Sequence, residues 1–173
     1  MSIAVSRIRD VADGVQAGQF EVGDRAAVHS LDDLDPVYRQ LLDEPVTAVI
    51  SVVGGTGRSN LSPVWFDYEG DRVLLNLASH RKKLQWLRQH PEATFLLMNP
   101  ANPFHWMSIK ATVTRETAED DPVDGARVTA QIDHLAAKYL GEDGGYALRD
   151  PSRIERRVLV EFSVDSVATF GRP

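Results

Sequence analysis

The stretch LSPVWFDYEGDRVLLNLASHRKKLQWLRQHPEATFLLMNP, residues 61–100, decides how the chain is read. NLSPVWFDY (60–68) has the composition of a strand, and EGD is a tight connection into a second strand, RVLLNLA (72–78). SHRKKLQWLRQHP (79–91) is predicted to be a helix closed by Pro91, and ATFLLMN (93–99) a short buried strand. The helix carries Arg81, Lys82, Lys83 and Arg88 and no acid, in a chain of net charge −6. Ser79 is placed to cap its N-terminus, where free N–H groups and the helix dipole favour an anion. Arg81, Lys82 and Lys83 then fall in the first turn, where that dipole opposes cations. A bound anion removes the conflict, because its charge suits both the helix end and the side chains. Exposed helix faces often carry Lys and Arg only for solvation. The placement of these cations, rather than their number, sets them apart.

Working outward, VTAVISVV (46–53) is rich in β-branched residues and ends at the turn cluster GGTGR. With 60–68 and 72–78 it reads as a three-strand antiparallel meander. Upstream, Asp35, Pro36 and Pro45 bracket a helix with Val37, Leu41 and Leu42 on its apolar face. Residues 1–29 have no clear period and are expected to be an extension outside a domain spanning 30–173. Downstream, NPANP is a loop and HWMSIKATVTRET (105–117) a long strand with Trp106, Ser108, Lys110 and Thr112 on one face. The clearest helix is 123–141, with Val128, Ile132, Leu135 and Tyr139 at core spacing and Gly141 at its C-terminal cap. RRVLVEFSVDSVATF (156–170) supplies one long strand or two short ones. Six or seven strands, a few helices and no βαβ alternation indicate an antiparallel α+β barrel.

The totals exclude several functions. At 173 residues, 43% hydrophobic and 25% charged, the chain suits one globular domain. No run of 18 apolar residues or signal-like N-terminus is present, so a cytoplasmic location without membrane insertion is expected. The absence of cysteine removes disulfides, thiolate metal sites and a Cys nucleophile. A pI near 5.3 argues against nucleic acid as a partner. GGTGRSN, residues 54–60, does not match a phosphate loop and joins two strands, so it is expected to be a hairpin turn. The five histidines show no helical pairing, and no metal site is expected. No serine occupies a G-x-S-x-G elbow, which disfavours a hydrolase. Asp133 and His134 are expected to meet solvent.

From about residue 31 onward, the chain resembles the FMN-binding split barrels. These include pyridoxamine 5′-phosphate oxidases and actinobacterial enzymes that use the deazaflavin coenzyme F420. Residues 61–100 resemble the strand and basic-helix core of the deazaflavin branch. NPANPFHWMSIKATV resembles its Asn-Pro loop and following strand, IDHLAAKYLGEDGGY its late helix, and RRVLVEFSVDSVATF its closing strand. The resemblance implies a split β-barrel that forms a homodimer and binds its cofactor at the interface. It places Arg81 and Lys83 on the cofactor phosphate, with Lys82 and Lys83 as the corresponding pair in FMN oxidases. Ser62, Pro63 and Val64 would lie along the ring, and Asn76, Leu77, Ala78 and Ser79 would lead to the phosphate. Trp86 stands where the family usually has Asn, Leu77 where a hydroxyl residue is common, and Ala111 where Gly is common. The chain also lacks the C-terminal Arg-Leu segment that holds vitamin B6 substrates.

The expectation is an oxidoreductase that binds F420 and passes hydride to a small unsaturated or heteroaromatic acceptor. FMN in place of F420 is the first alternative, because a phosphate grip serves either cofactor. A second is a non-catalytic flavin or tetrapyrrole binder using Trp65, Trp86 and Trp106 as stacking rings. A basic helix that only contacts an acidic neighbouring subunit is the third. No catalytic residue is assigned: the proton source is solvent or a side chain such as Tyr68 or His105. Arg88 would extend the cationic patch toward an anionic cofactor tail. Loops 100–104 and 141–152 are expected to build the acceptor pocket.

Overall fold

The computed structural model describes residues 2–141, 144–152 and 154–173. Among these lie nine strands and three α-helices. The strands are β1 (Ile3–Arg9), β2 (Glu21–Val28), β3 (Ala48–Val53), β4 (Ser59–Val64), β5 (Asp67–Glu69), β6 (Arg72–Ala78), β7 (Glu92–Met98), β8 (Trp106–Ala118) and β9 (Arg157–Phe170). The helices are α1 (Pro36–Asp43), α2 (Lys82–Gln89) and α3 (Gly125–Leu140). The architecture is an α+β split barrel. The main path through the sheet runs β2-β1-β9-β8-β7-β3-β4.

Nine strands replace the six or seven expected, for two reasons. The first is that residues 3–28 form a hairpin, β1 and β2, docked on the sheet through a parallel pairing of β1 with β9. That pairing is the sole departure from antiparallel order among the described strands. Its sequence signal is weak because β2 is almost wholly exposed and mixes Glu21, Asp24 and Arg25 with Gly23 and Ala26.

The second reason is that the middle strand of the expected meander is split in two. The 60–68 segment breaks into β4 and β5 at Trp65 and Phe66. β3 pairs with β4 and β5 with the start of β6, and β6 pairs along its whole length with β9, so β4 and β6 are not neighbours. Tyr139 of α3 accounts for the break. Its single hydroxyl proton is shared between the carbonyls of Val46 (3.0 Å) and Phe66 (3.3 Å), and its oxygen accepts from the Phe66 N–H (3.4 Å). Backbone groups that a neighbouring strand would take are satisfied by one side chain.

β9 sets the shape. β8 flanks it along nearly its whole length, while on the other side β6 pairs with its first half and β1 with its second. The sheet forks there and folds around a core centred on Phe66, Phe95 and Phe162. Phe95 and Phe162 meet edge to face at 5.2 Å, an arrangement aromatic pairs favour.

α1 begins as expected, with Asp35 accepting from Val37 N–H (3.0 Å) and Pro36 in the first turn. Leu41 and Leu42 are buried, and Val37 packs against the core. α3 ends at Gly141 with φ 70°, the left-handed cap its position calls for. The 54–60 turn is a hairpin loop closed by Gly54 N–H to Arg58 O (2.9 Å). Among the described residues no helix is long and apolar enough to cross a membrane.

Candidate functional site

α2 starts later than expected. Its N-cap is Arg81, whose side chain makes no capping bond, and Lys82 and Lys83 are its first two residues. Ser79 does not cap. It is exposed, and its N–H is used by Arg156 O (2.9 Å), which ties the end of β6 to the start of β9. The cations therefore sit directly on the helix end, where the dipole opposes them most. Leu84 and Leu87 bury the other face of α2 in the core.

Between this helix end, the ends of β4 and β6, and α3 lies a cavity of about 540 Å³, within the range of small-molecule sites. Nine of the ten residues singled out from sequence line it: Ser62, Pro63, Val64, Asn76, Leu77, Ala78, Arg81, Lys82 and Lys83. Ser79 is not among the lining residues. The split between β4 and β5 opens this space, because β6 leaves β4 without a partner on that side.

The electrostatics are one-sided. Arg81, Lys82, Lys83 and Arg157 line the cavity, and among the described residues no acidic one does. Among the described residues, Arg81, Lys82 and Lys83 have no carboxylate partner. Arg72, Arg88, Arg127 and Arg149, by contrast, are all ion-paired. Burial, and after it the charge of Arg81, pushes the Lys83 ammonium down to about 8. Like charges close together in a partly desolvated wall disfavour one another's charged form.

Asn76 lines the cavity, but its side chain is engaged. Its Oδ1 accepts from Arg157 Nε (2.9 Å), and its Nδ2 donates to Val128 O of α3 (3.0 Å). Arg157 also donates to Asn76 O (2.9 Å) and to Glu155 (2.8 Å), and Tyr146 lies over the guanidinium at 5.0 Å. Tyr146 is held by Asp133, which accepts its N–H (2.8 Å), so Asp133 does not merely face solvent. His134 approaches Asp67 at 3.4 Å.

Arg157, Tyr146, Leu148, Thr47 and Trp65 are lining residues that the sequence did not single out for the cavity. Arg157 carries no local signal that separates it from Arg156 beside it. Only the Ala78–Arg157 register of β6 with β9 brings it to the cavity. Trp65 was a candidate ring, and it stacks on Tyr139 at 5.2 Å with 9° between planes. Trp86 packs against the core and Trp106 against Phe170 (5.5 Å), so neither reaches this space.

Other expectations are corrected. Arg88 points away from the cavity and grips Glu116 with two nitrogens (2.8 and 2.9 Å). Tyr68 donates to Asp43 (2.6 Å), and His105 is fully buried beside Tyr38, so neither proton candidate is at the cavity. Loop 100–104 is tied to the C-terminus by Asn102 Nδ2 to Arg172 O (2.8 Å) and does not line the cavity. Loop 141–152 supplies Tyr146 and Leu148. Its residues 142 and 143 lie outside the described residues.

Comparison with known proteins places this geometry. The family profile described as pyridoxamine 5′-phosphate oxidase matches residues 34–171. No curated protein matches the chain. Among solved structures, an F420 reductase is similar at TM-score 0.63 and 19% identity, covering 78% of this chain and 98% of that one. The haem storage protein HutZ of Vibrio cholerae is similar at TM-score 0.56 and 13% identity, covering 78% and 92%. General stress protein 26 of Bacillus anthracis is similar at TM-score 0.54 and 15% identity, covering 78% and 91%. At these identities the likeness is one of fold.

Proposed function

The chain belongs to the pyridoxamine 5′-phosphate oxidase family, and on that premise we propose that its cavity binds a phosphate-bearing flavin-type cofactor, F420 in the first instance. One observation carries the reading: Arg81, Lys82 and Lys83 converge on the cavity at a helix N-terminus with no protein carboxylate among the described residues to balance them. An anion suits this place better than any side chain of the protein does. The similarity in fold to an F420 reductase supports the choice of cofactor.

The fit of residues to group is specific. Arg81 offers a planar fork, and Lys82 and Lys83 offer mobile ammonium donors, for a phosphate at the start of α2. Ser62, Pro63 and Val64 form a wall along which a flat ring can lie. Leu77 and Ala78 close the floor without polar side chains. Arg157 and Val128 hold Asn76, so this residue positions the end of β6 rather than the ligand.

When bound, F420 would supply hydride chemistry toward a small unsaturated or heteroaromatic acceptor. The protein's part is to bind, orient and exclude water. No acid or base at the cavity is assigned to proton transfer. Pro63 and Leu61 are exposed on the unpaired edge of β4, and we place a second copy of the chain there, closing the site as a homodimer.

Equilibrium titration with F420 and with FMN at two salt concentrations tests the proposal. Micromolar or tighter F420 binding that weakens with salt and in an Arg81→Ala, Lys83→Ala double variant is expected. Tight FMN binding with weak F420 binding would retain the site and move the protein to the flavin branch. Binding of neither would remove the proposal. Sedimentation of the purified protein as a monomer would remove the dimer.

A further inference from the structure

The fourth cation of the cavity differs from the other three in place, partners and shape. Arg157 opens β9 and sits opposite Ala78 of β6, whereas Arg81 follows on from β6 into α2. Its side chain is nine-tenths buried, and it lies on the cavity wall beside Tyr146 and Leu148. This end of the cavity therefore carries a cation of its own, apart from those of α2.

The donors can be counted. Nε–H goes to Asn76 Oδ1, one Nη2–H to Asn76 O and one Nη1–H to Glu155 Oε1. Of the five N–H groups a guanidinium carries, these leave one on each terminal nitrogen without a partner among the described residues. Glu155 offsets the charge but is not part of the wall, so among the described residues the surface a ligand meets is cationic without an acid. The Tyr146 ring covers one face of the guanidinium at 5.0 Å and is itself fixed through its N–H to Asp133. A group entering from the cavity therefore meets the edge of the guanidinium rather than its face. Leu135, Ile132 and Leu148 supply an apolar surround.

We propose that this end of the cavity is a carboxylate-binding subsite, with the Arg157 edge as the anion donor and Tyr146 with Leu148 as the wall for an apolar body. A carboxylate presents two coplanar oxygens to a planar guanidinium edge, a geometry a bulkier phosphate finds more readily among the free cations of α2. The inference deepens the reading of the cavity as a ligand site and does not depend on which cofactor fills it. Two sources can present the carboxylate: the acceptor substrate, or an acidic tail on the cofactor.

The test is calorimetric titration with 2-naphthoate and 2-naphthamide, which share a body and differ in charge. Inorganic phosphate is titrated in parallel to report on α2. The acid is expected to bind the native chain about tenfold more tightly than the amide. In Arg157→Gln the ratio should fall toward one and in Arg157→Lys part of the way, while Tyr146→Leu should weaken acid and amide alike. Phosphate affinity should stay within about twofold in each, which also shows that the variant is folded. If Arg157→Gln does not fold, Arg157→Lys carries the same comparison. Equal affinity of acid and amide for the native chain overturns the subsite. So does a preference that survives undiminished in both Arg157 variants, because the α2 cations would then be its source. If neither F420 nor FMN binds, the cofactor reading fails while the acid-to-amide ratio still decides this one. Naphthoate binding to F420-loaded protein assigns the subsite to an acceptor, and competition with F420 assigns it to the cofactor tail.

Discussion

Lys83 shows how one residue's environment can tie ligand affinity to pH. Burial and the neighbouring Arg81 hold it near 8 in the free protein, well below the usual lysine value. A bound anion favours the ammonium and raises that pKa. Affinity for phosphate is then complete below about 8 and falls as pH rises from there toward the higher pKa of the complex, by up to about tenfold per unit. Titrations between pH 7.5 and 9.5 should show this fall in the native chain and a flat profile in Lys83→Arg. A flat native profile would mean that Lys83 is remote from the anion. Ser62 to Val64 and Asn76 to Ala78 came from the family resemblance and Arg81 to Lys83 also from the charge pattern of one short stretch, and the structure puts them all on the cavity wall. Arg157 was not legible in the sequence, since its relation to Ala78 exists only through strand pairing.

α2 is built against its own stability. Its N-cap is Arg81, with no side-chain cap and no acid in the first turn. A hydroxyl at this position would satisfy a free N–H, and removing the cation would relieve the dipole. Arg81→Ser is therefore expected to stabilise the fold by about 1 kcal/mol while weakening phosphate binding several-fold. Thermal melts and phosphate titrations on one preparation check both halves. A variant that loses stability as well as affinity would show that Arg81 serves the fold. The expected cap at Ser79 had the right chemistry, but the chain takes three residues, Ser79 to Arg81, to turn from β6 into the helix. Its N–H is drawn to Arg156 O instead.

At the scale of the molecule, the N-terminal hairpin and a buried histidine carry the testable claims. Ile3 of β1 is fully buried, and β1 covers the second half of β9. Deleting residues 1–29 should lower stability by at least about 2 kcal/mol, the scale of one buried aliphatic chain. Phosphate affinity should be preserved, because β1 does not line the cavity. An unchanged urea midpoint would show the hairpin to be dispensable. His105 is fully buried, and burial pushes its pKa down, against a weaker opposing contact with the Val37 backbone. The fold thus favours the neutral ring. Its contribution is present above the unfolded value near 6.5 and is lost as pH falls from there through the lower folded value, at up to about 1.4 kcal/mol per unit. Melts from pH 7.5 to 5 should show a steeper decline for the native chain than for His105→Asn.

Sequence alone determined the elements that rest on local rules. Pro36 after Asp35 started α1, Gly141 closed α3, and the β-branched and apolar composition of β6, β7 and β9 marked them as strands. It also placed the cations of α2, because charge pattern and helix position are both local. Tertiary structure decided which strands are neighbours and where the sheet opens. The Tyr139 hydroxyl takes the backbone groups of Phe66, β4 and β6 part, and β6 finds β9. That pairing carries Arg157 to the cavity, and the placement of α2 beside β8 sets Arg88 on Glu116. Both outcomes depend on contacts across long stretches of chain, which no window of sequence contains.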